Sequence, residues 1–205
     1  MGGLLIPVIG FERLRMAVDG TGVRTLIGTY GCTLRCKHCI NPHSWNGKHQ
    51  PNLYTPEQLY QAVAMDSIYF QATNGGITIG GGEPLLYIDA IGEFIGRCPD
   101  SWSFWAETAL NVESEKVRKA TQLFDHFVVD IKTTDPEIYK AYTGKDLDLA
   151  LSNLLMLKEL TGAERITVRV PRSPGFADAT SQQKTAEKLK ALGFTNLDLF
   201  TYRIP

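Results

Sequence analysis

The chain has 205 residues, 43% of them hydrophobic and 21% charged, with a formal net charge of −1. That length suits a single domain over residues 1–205 with a sizeable core. The balanced charge gives no field to attract nucleic acid, and no apolar stretch reaches the length of a membrane span.

In chain order, the opening MGGLLIPVIGF is apolar but short, lacks a basic leader and runs into Glu12 and Arg13. It reads as a strand or edge segment, not a signal peptide. Gly2 lacks a myristoylation pattern because position 6 is Ile6. The cytoplasm is therefore the expected compartment. Residues 1–50 carry six Lys/Arg against Glu12 and Asp19, which suits either a solvated face or the surroundings of an anionic cofactor. β-rich runs are expected at 23–30, 76–79, 103–107, 127–131, 166–170 and 197–202. Helices are expected between them. One begins after Thr55 with Pro56 at its first position and continues to Phe70. Others cover 88–95, 113–123, 146–160 and 181–192, the last stopped by Gly193. Strict alternation of strand and helix implies an α/β fold with a parallel sheet. Periodicity leaves open whether that sheet is doubly wound or a partial barrel, and both forms place chemistry at the carboxyl ends of strands.

The polar motifs obey that rule. Three of the four cysteines follow the first run as C-x3-C-x2-C: Cys32, Cys36 and Cys39. GGGEP (80–84) follows the second, Glu107 and Thr108 end the third, Asp130 and Lys132 end the fourth, Arg169 ends the fifth, and Tyr202 and Arg203 end the sixth. Such crowded thiols are not a disulfide framework in a chain of this size. Three thiolates can hold three irons of a cubane and leave the fourth open to a small molecule. The rival is zinc, with His38 or His43 as fourth ligand. Cys98, before Pro99, reads as a structural thiol.

Taken together, VDGTGVRT (18–25), GCTLRCKHC, CINP with Ser44 and Trp45, GGITIGGGEPLL, ETAL, VVDIK and RVPRSPGFAD resemble the radical S-adenosylmethionine superfamily. Within it they resemble the activating enzymes of glycyl radical enzymes, typified by pyruvate formate-lyase activase. The resemblance implies a partial (βα)6 barrel and a [4Fe–4S] cluster on Cys32, Cys36 and Cys39. It also implies reductive cleavage of S-adenosylmethionine to a 5′-deoxyadenosyl radical.

Residue by residue, the resemblance assigns Gly81, Gly82 and Glu83 to the methionine part of the cofactor. His38 stands where an aromatic residue usually contacts adenine. Glu107, Thr108 and Asp130 would bind a monovalent cation and, with Lys132, the cofactor. Arg169 would pair with the cofactor carboxylate, and Arg203 replaces a family histidine. Asp19, Gly20, Gly22 and Arg24 match a segment near the docking partner, so Asp19, Gly20 and Arg24 are expected substrate contacts. Two departures stand out: Glu107 replaces the usual aspartate, and Ala109–Leu110 replaces the usual Asn-Gly.

No cysteine-bearing insert lies between Cys39 and Gly81, which favours the single-cluster type, similar to the activases of pyruvate formate-lyase or anaerobic ribonucleotide reductase. The stop at Pro205 is expected to widen the lateral opening, which suits a peptide loop. The implied substrate is the glycine loop of a glycyl radical enzyme, the implied electron donor a flavodoxin or ferredoxin, and the implied setting anaerobic; a monomer with no membrane or nucleic acid partner is expected. A small molecule, as for 7-carboxy-7-deazaguanine synthase, or a peptide is the alternative substrate. A non-enzymatic iron–sulfur or zinc module is the third reading.

Overall fold

The computed structural model describes residues 3–16 and 18–202. They divide into two compact units built from interleaved stretches of chain. One comprises Met1–Cys32, Asn41–Glu107 and Gln122–Asp125; the other comprises Thr33–Ile40, Thr108–Thr121 and His126–Pro205.

The first unit contains strands β1 (Ile6–Met16), β2 (Val23–Thr29), β3 (Asn52–Tyr54), β4 (Gly76–Gly80) and β5 (Ser103–Thr108), in the spatial order β3-β1-β2-β4-β5. β2, β4 and β5 run parallel, with Ile27 opposite Ile79 and Ile79 opposite Ala106. β4 is buried along its whole length, as expected of a central strand covered on both faces. Its helices are α1 (Pro56–Val63), α2 (Ser67–Thr73) and α3 (Ile88–Ile95). α1 starts in a capping box, because Thr55 and Gln58 each accept from the other's backbone N–H. α3 buries Ile88, Ile91 and Phe94, one face at helical spacing.

The second unit holds α4 (Ser114–Ala120), β6 (His126–Asp130), α5 (Pro136–Thr143), α6 (Asp148–Thr161), β7 (Ile166–Arg172), α7 (Ala179–Ala191) and β8 (Leu197–Thr201). β6, β7 and β8 are parallel neighbours, with Asp130 opposite Arg169 and Arg169 opposite Asp198. α6 buries Ala150, Asn153, Leu154, Leu157 and Thr161.

All six expected parallel strands form within a residue or two of their expected bounds. The opening segment is a strand, as read from the sequence, eleven residues long and antiparallel to both β2 and β3. Two helical features differ from the sequence reading. The expected helix 56–70 is broken at Ala64–Asp66, where buried Asp66 accepts from Arg13 and from Thr25, each at 2.8 Å. α5 was not expected, although its ends are marked. Asp135 caps it, Pro136 is its first residue, and Gly144 terminates it at φ +74°. No described helix is long and apolar enough to cross a membrane.

Candidate functional site

In the first unit, the carboxyl ends of β2 and β4 are laced together by backbone. Gly82 N–H donates to the Thr29 carbonyl at 2.9 Å, and Glu83 N–H donates to the Gly31 carbonyl at 2.7 Å. Gly81 adopts φ +83°, a left-handed conformation that glycine takes without strain. A Cβ on Gly82 would lie 2.2 Å from the Gly31 oxygen, so only glycine permits this approach. Glu83 is buried, and its carboxylate accepts from Leu85 N–H at 3.2 Å. Asn41 Nδ2 donates to the Gly81 carbonyl at 3.2 Å and ties the segment after the cysteines to the glycine loop. Glu107 lies against Gly80, where an added Cβ would meet its Oε2 at 2.9 Å. Cys32 ends the first stretch of this unit.

In the second unit, Cys36 is bracketed by backbone. Arg35 N–H donates to the Thr143 carbonyl at 2.8 Å, and Lys37 N–H donates to that of Tyr142 at 3.1 Å. The unforeseen helix α5 thus anchors the cysteine segment, and a Cys39-to-Cys36 backbone bond of 3.2 Å closes the turn between two of the thiols. Burial pushes the Cys36 thiol up to about 11, against a counteracting pull from the Lys132 ammonium. Lys132 is buried, 3.1 Å from Asp130 Oδ2, and donates to the Tyr202 hydroxyl at 2.9 Å. Burial alone would lower its proton affinity, but Asp130 and Tyr202 hold it well above the usual lysine range. His38 sits edge-on among Tyr142 (5.6 Å), Phe176 (5.9 Å) and Tyr202 (6.4 Å). Its Nδ1 and Asp130 Oδ1 are buried polar atoms with no hydrogen-bond partner. Thr108 accepts from Leu110 N–H at 2.9 Å.

Arg169 lies inside β7, not at its end, and its guanidinium is 3.4 Å from Asp198. Arg203 lies outside the described residues. The expected substrate contacts Asp19, Gly20 and Arg24 lie at the amino ends of the strands, around Arg24. The Asp19 and Arg24 side chains are buried. Asp19 pairs with Arg15. Arg24 donates to Thr78 Oγ1 at 2.7 Å, the Ile77 carbonyl at 2.6 Å and Ser103 Oγ at 2.8 Å, and lies over Trp105. Gly20 packs against Arg24, where an added Cβ would meet its Cδ at 2.7 Å. These residues lock the amino ends of β2, β4 and β5, opposite the ends that carry the cysteines and the glycine loop. Sequence reading missed α5's grip on Cys36, the Asn41 bond and the rings around His38.

Residues 26–180 match the radical SAM superfamily. The chain belongs to that superfamily. Radical SAM proteins carry a [4Fe–4S] cluster and use S-adenosylmethionine. An indoleacetate decarboxylase activating enzyme from Tractidigestivibacter scatoligenes is 25% identical, covering 78% of this chain and 71% of that protein. A pyruvate formate-lyase-activating enzyme from Clostridium pasteurianum is 34% identical, covering 62% of this chain and 53% of its own length. A radical SAM methyltransferase from Sphaerobacter thermophilus superposes with a TM-score of 0.58 at 13% identity, covering 98% of this chain and 78% of that one. The fold of this chain is thus the radical SAM α/β fold, and open parallel strand sets are consistent with a partial barrel.

The residues present fit the radical SAM cofactors. All four cysteines are thiols, and three soft sulfur donors on one short loop suit an iron–sulfur cluster better than a hard cation. Among the described residues, no three His, Cys, Asp or Glu side chains are gathered as around a single metal ion. The unpartnered His38 Nδ1 and Asp130 Oδ1 provide buried polar atoms for a polar ligand.

Proposed function

We propose that this radical SAM protein, a single domain over residues 1–205, activates a glycyl radical enzyme by hydrogen abstraction from a glycine Cα. When bound, the cluster and S-adenosylmethionine supply one-electron cleavage of a carbon–sulfur bond and a 5′-deoxyadenosyl radical. Cys32, Cys36 and Cys39 act as the three thiolates, and α5 fixes the middle one through the bonds at Arg35 and Lys37. The charge of Lys132, buried and held by Asp130 and Tyr202, acts on Cys36 electrostatically and favours thiolate over thiol. Gly81, Gly82 and Glu83 present backbone to the methionine part of the cofactor, and His38 faces adenine. Arg169 and Arg203 are assigned to the cofactor, and Glu107, Thr108 and Asp130 to a monovalent cation. An electron enters from a flavodoxin or ferredoxin, and the protein acts as a cytoplasmic monomer.

One observation carries the radical chemistry: three thiols on the loop leaving β2, the middle one clasped by α5 through backbone bonds on both sides. The partner class rests on the relatives, two of which are activating enzymes. The test is anaerobic incubation of the reduced protein with S-adenosylmethionine and candidate glycyl radical enzymes, followed by electron paramagnetic resonance. A glycyl radical on a partner is expected. Cofactor cleavage with no radical on any such partner overturns the activase reading and leaves the radical SAM chemistry standing.

A further inference from the structure

Leu110 follows the Glu107–Thr108 pair, where the resembling family usually has glycine, yet it adopts φ +53°. A non-glycine residue persists in the left-handed region only when its surroundings hold it there. Leu110 is fully buried, and both ends of its peptide unit are clasped. Its N–H donates to Thr108 Oγ1 at 2.9 Å. Its carbonyl accepts from Asn153 Nδ2 at 2.9 Å, and the same amide donates to the Val112 carbonyl at 2.8 Å. The remaining side-chain atom, Asn153 Oδ1, accepts from Ser114 Oγ at 2.7 Å. Asn153 is almost wholly buried on the inner stripe of α6, beside Ala150, Leu154 and Leu157. An amide is not needed there for packing, and burying one is unfavourable unless every polar atom is satisfied. Here each is: two bonds go to the loop that leaves β5, and the third comes from Ser114, the first residue of α4.

We propose that Asn153 is a positioning residue for cofactor binding: it holds Leu110 left-handed, which fixes the Thr108 hydroxyl and the end of β5. The inference rests on the radical SAM reading and on the assignment of Thr108 to the cofactor site. Glycine at 110 would adopt the same backbone without help, so the clamp compensates for the leucine.

The test uses the reconstituted holoprotein and three variants: Asn153→Ala, Leu110→Gly and the double variant. The probe is S-adenosylmethionine, titrated against the reduced cluster and followed by its electron paramagnetic resonance spectrum. Iron and sulfide per chain are measured in parallel. Asn153→Ala is expected to keep its cluster and bind the cofactor at least tenfold more weakly. Adding Leu110→Gly is expected to recover most of that loss. Two results overturn the proposal: unchanged affinity in Asn153→Ala, or a loss that glycine at 110 does not rescue, which marks Asn153 as packing alone. Should Asn153→Ala not fold, Asn153→Ser keeps a hydroxyl in place of the amide. It is expected to show a smaller, glycine-rescuable loss, and a loss without rescue counts equally against the proposal. A wild-type protein that binds no cluster or cofactor refutes the functional reading itself, a result distinct from any of these.

Discussion

Replacing Gly82 with alanine tests how tightly the glycine loop is pressed onto the end of β2. The new Cβ would stand 2.2 Å from the Gly31 oxygen and 2.7 Å from the Thr29 oxygen. Both are backbone atoms and cannot rotate away, so the loop must lift. Two hydrogen bonds go with it: Gly82 N–H to Thr29 at 2.9 Å and Glu83 N–H to Gly31 at 2.7 Å. A backbone bond contributes about 1 kcal/mol net, and a donor left buried without a partner costs about 1–3 kcal/mol, so the pair comes to roughly 2–6 kcal/mol. For a chain of this size 1 kcal/mol moves the melting midpoint by about 2–4 °C, so the variant melts roughly 4–24 °C below the wild type. The assay is thermal unfolding by circular dichroism under anaerobic conditions. Gly10→Ala serves as control, because a Cβ there meets nothing within 4 Å. Equal melting of the two variants would mean that the loop is not pressed onto the end of β2.

Other outcomes follow from the same geometry. Alanine at Cys32, Cys36 or Cys39 abolishes iron binding, whereas Cys98→Ala leaves iron per chain unchanged, because the Cys98 thiol donates to the Phe94 carbonyl at the end of α3; loss of iron in Cys98→Ala contradicts the ligand assignment. Lys132→Met removes a buried ammonium whose charge acts on Cys36 and shifts the cluster's midpoint potential negative, since the reduced cluster carries more negative charge; redox titration reads it, and an unchanged or raised potential refutes it. Asp178→Ala removes the cap on α7, whose carboxylate accepts from Ser181 N–H at 2.8 Å. The Ser181 N–H, helped by its hydroxyl, holds the Asp178 carboxyl below its ordinary 3.8. Its stabilisation is therefore complete above pH 3.8 and lost as pH falls through the lowered value. The variant melts lower at neutral pH and the difference fades in acid; a difference that survives acid would show the cap is not the cause.

The parallel strands were legible because each run of β-branched and aromatic residues ends in polar or glycine positions, and short loops keep such runs distinct. The cysteine segment and GGGEP were legible for the same reason: chemistry that needs adjacent residues leaves a local pattern. What escaped depends on distant partners. Nothing near Asp66 marks a helix break; the break is pinned by Arg13 and Thr25 from the β1–β2 pair. Arg24 matches a motif, but its burial is decided by Thr78, Ile77 and Ser103 far along the chain. The rings around His38 come from α5, the loop after β7 and the end of β8. Helix α5 was within reach, since Asp135, Pro136 and Gly144 spell a start and a stop, but at eight residues its apolar stripe is too short to stand out.

The proposed function rests on Cys32, Cys36 and Cys39 holding a cluster able to cleave S-adenosylmethionine. The direct measurement is anaerobic reconstitution with iron and sulfide, reduction with dithionite, addition of S-adenosylmethionine, and chromatography of the products. 5′-Deoxyadenosine and methionine in equal amounts, absent from the Cys36→Ala variant, are the expected result. A chain that takes up zinc without sulfide, or a reduced cluster that leaves S-adenosylmethionine intact, would contradict it.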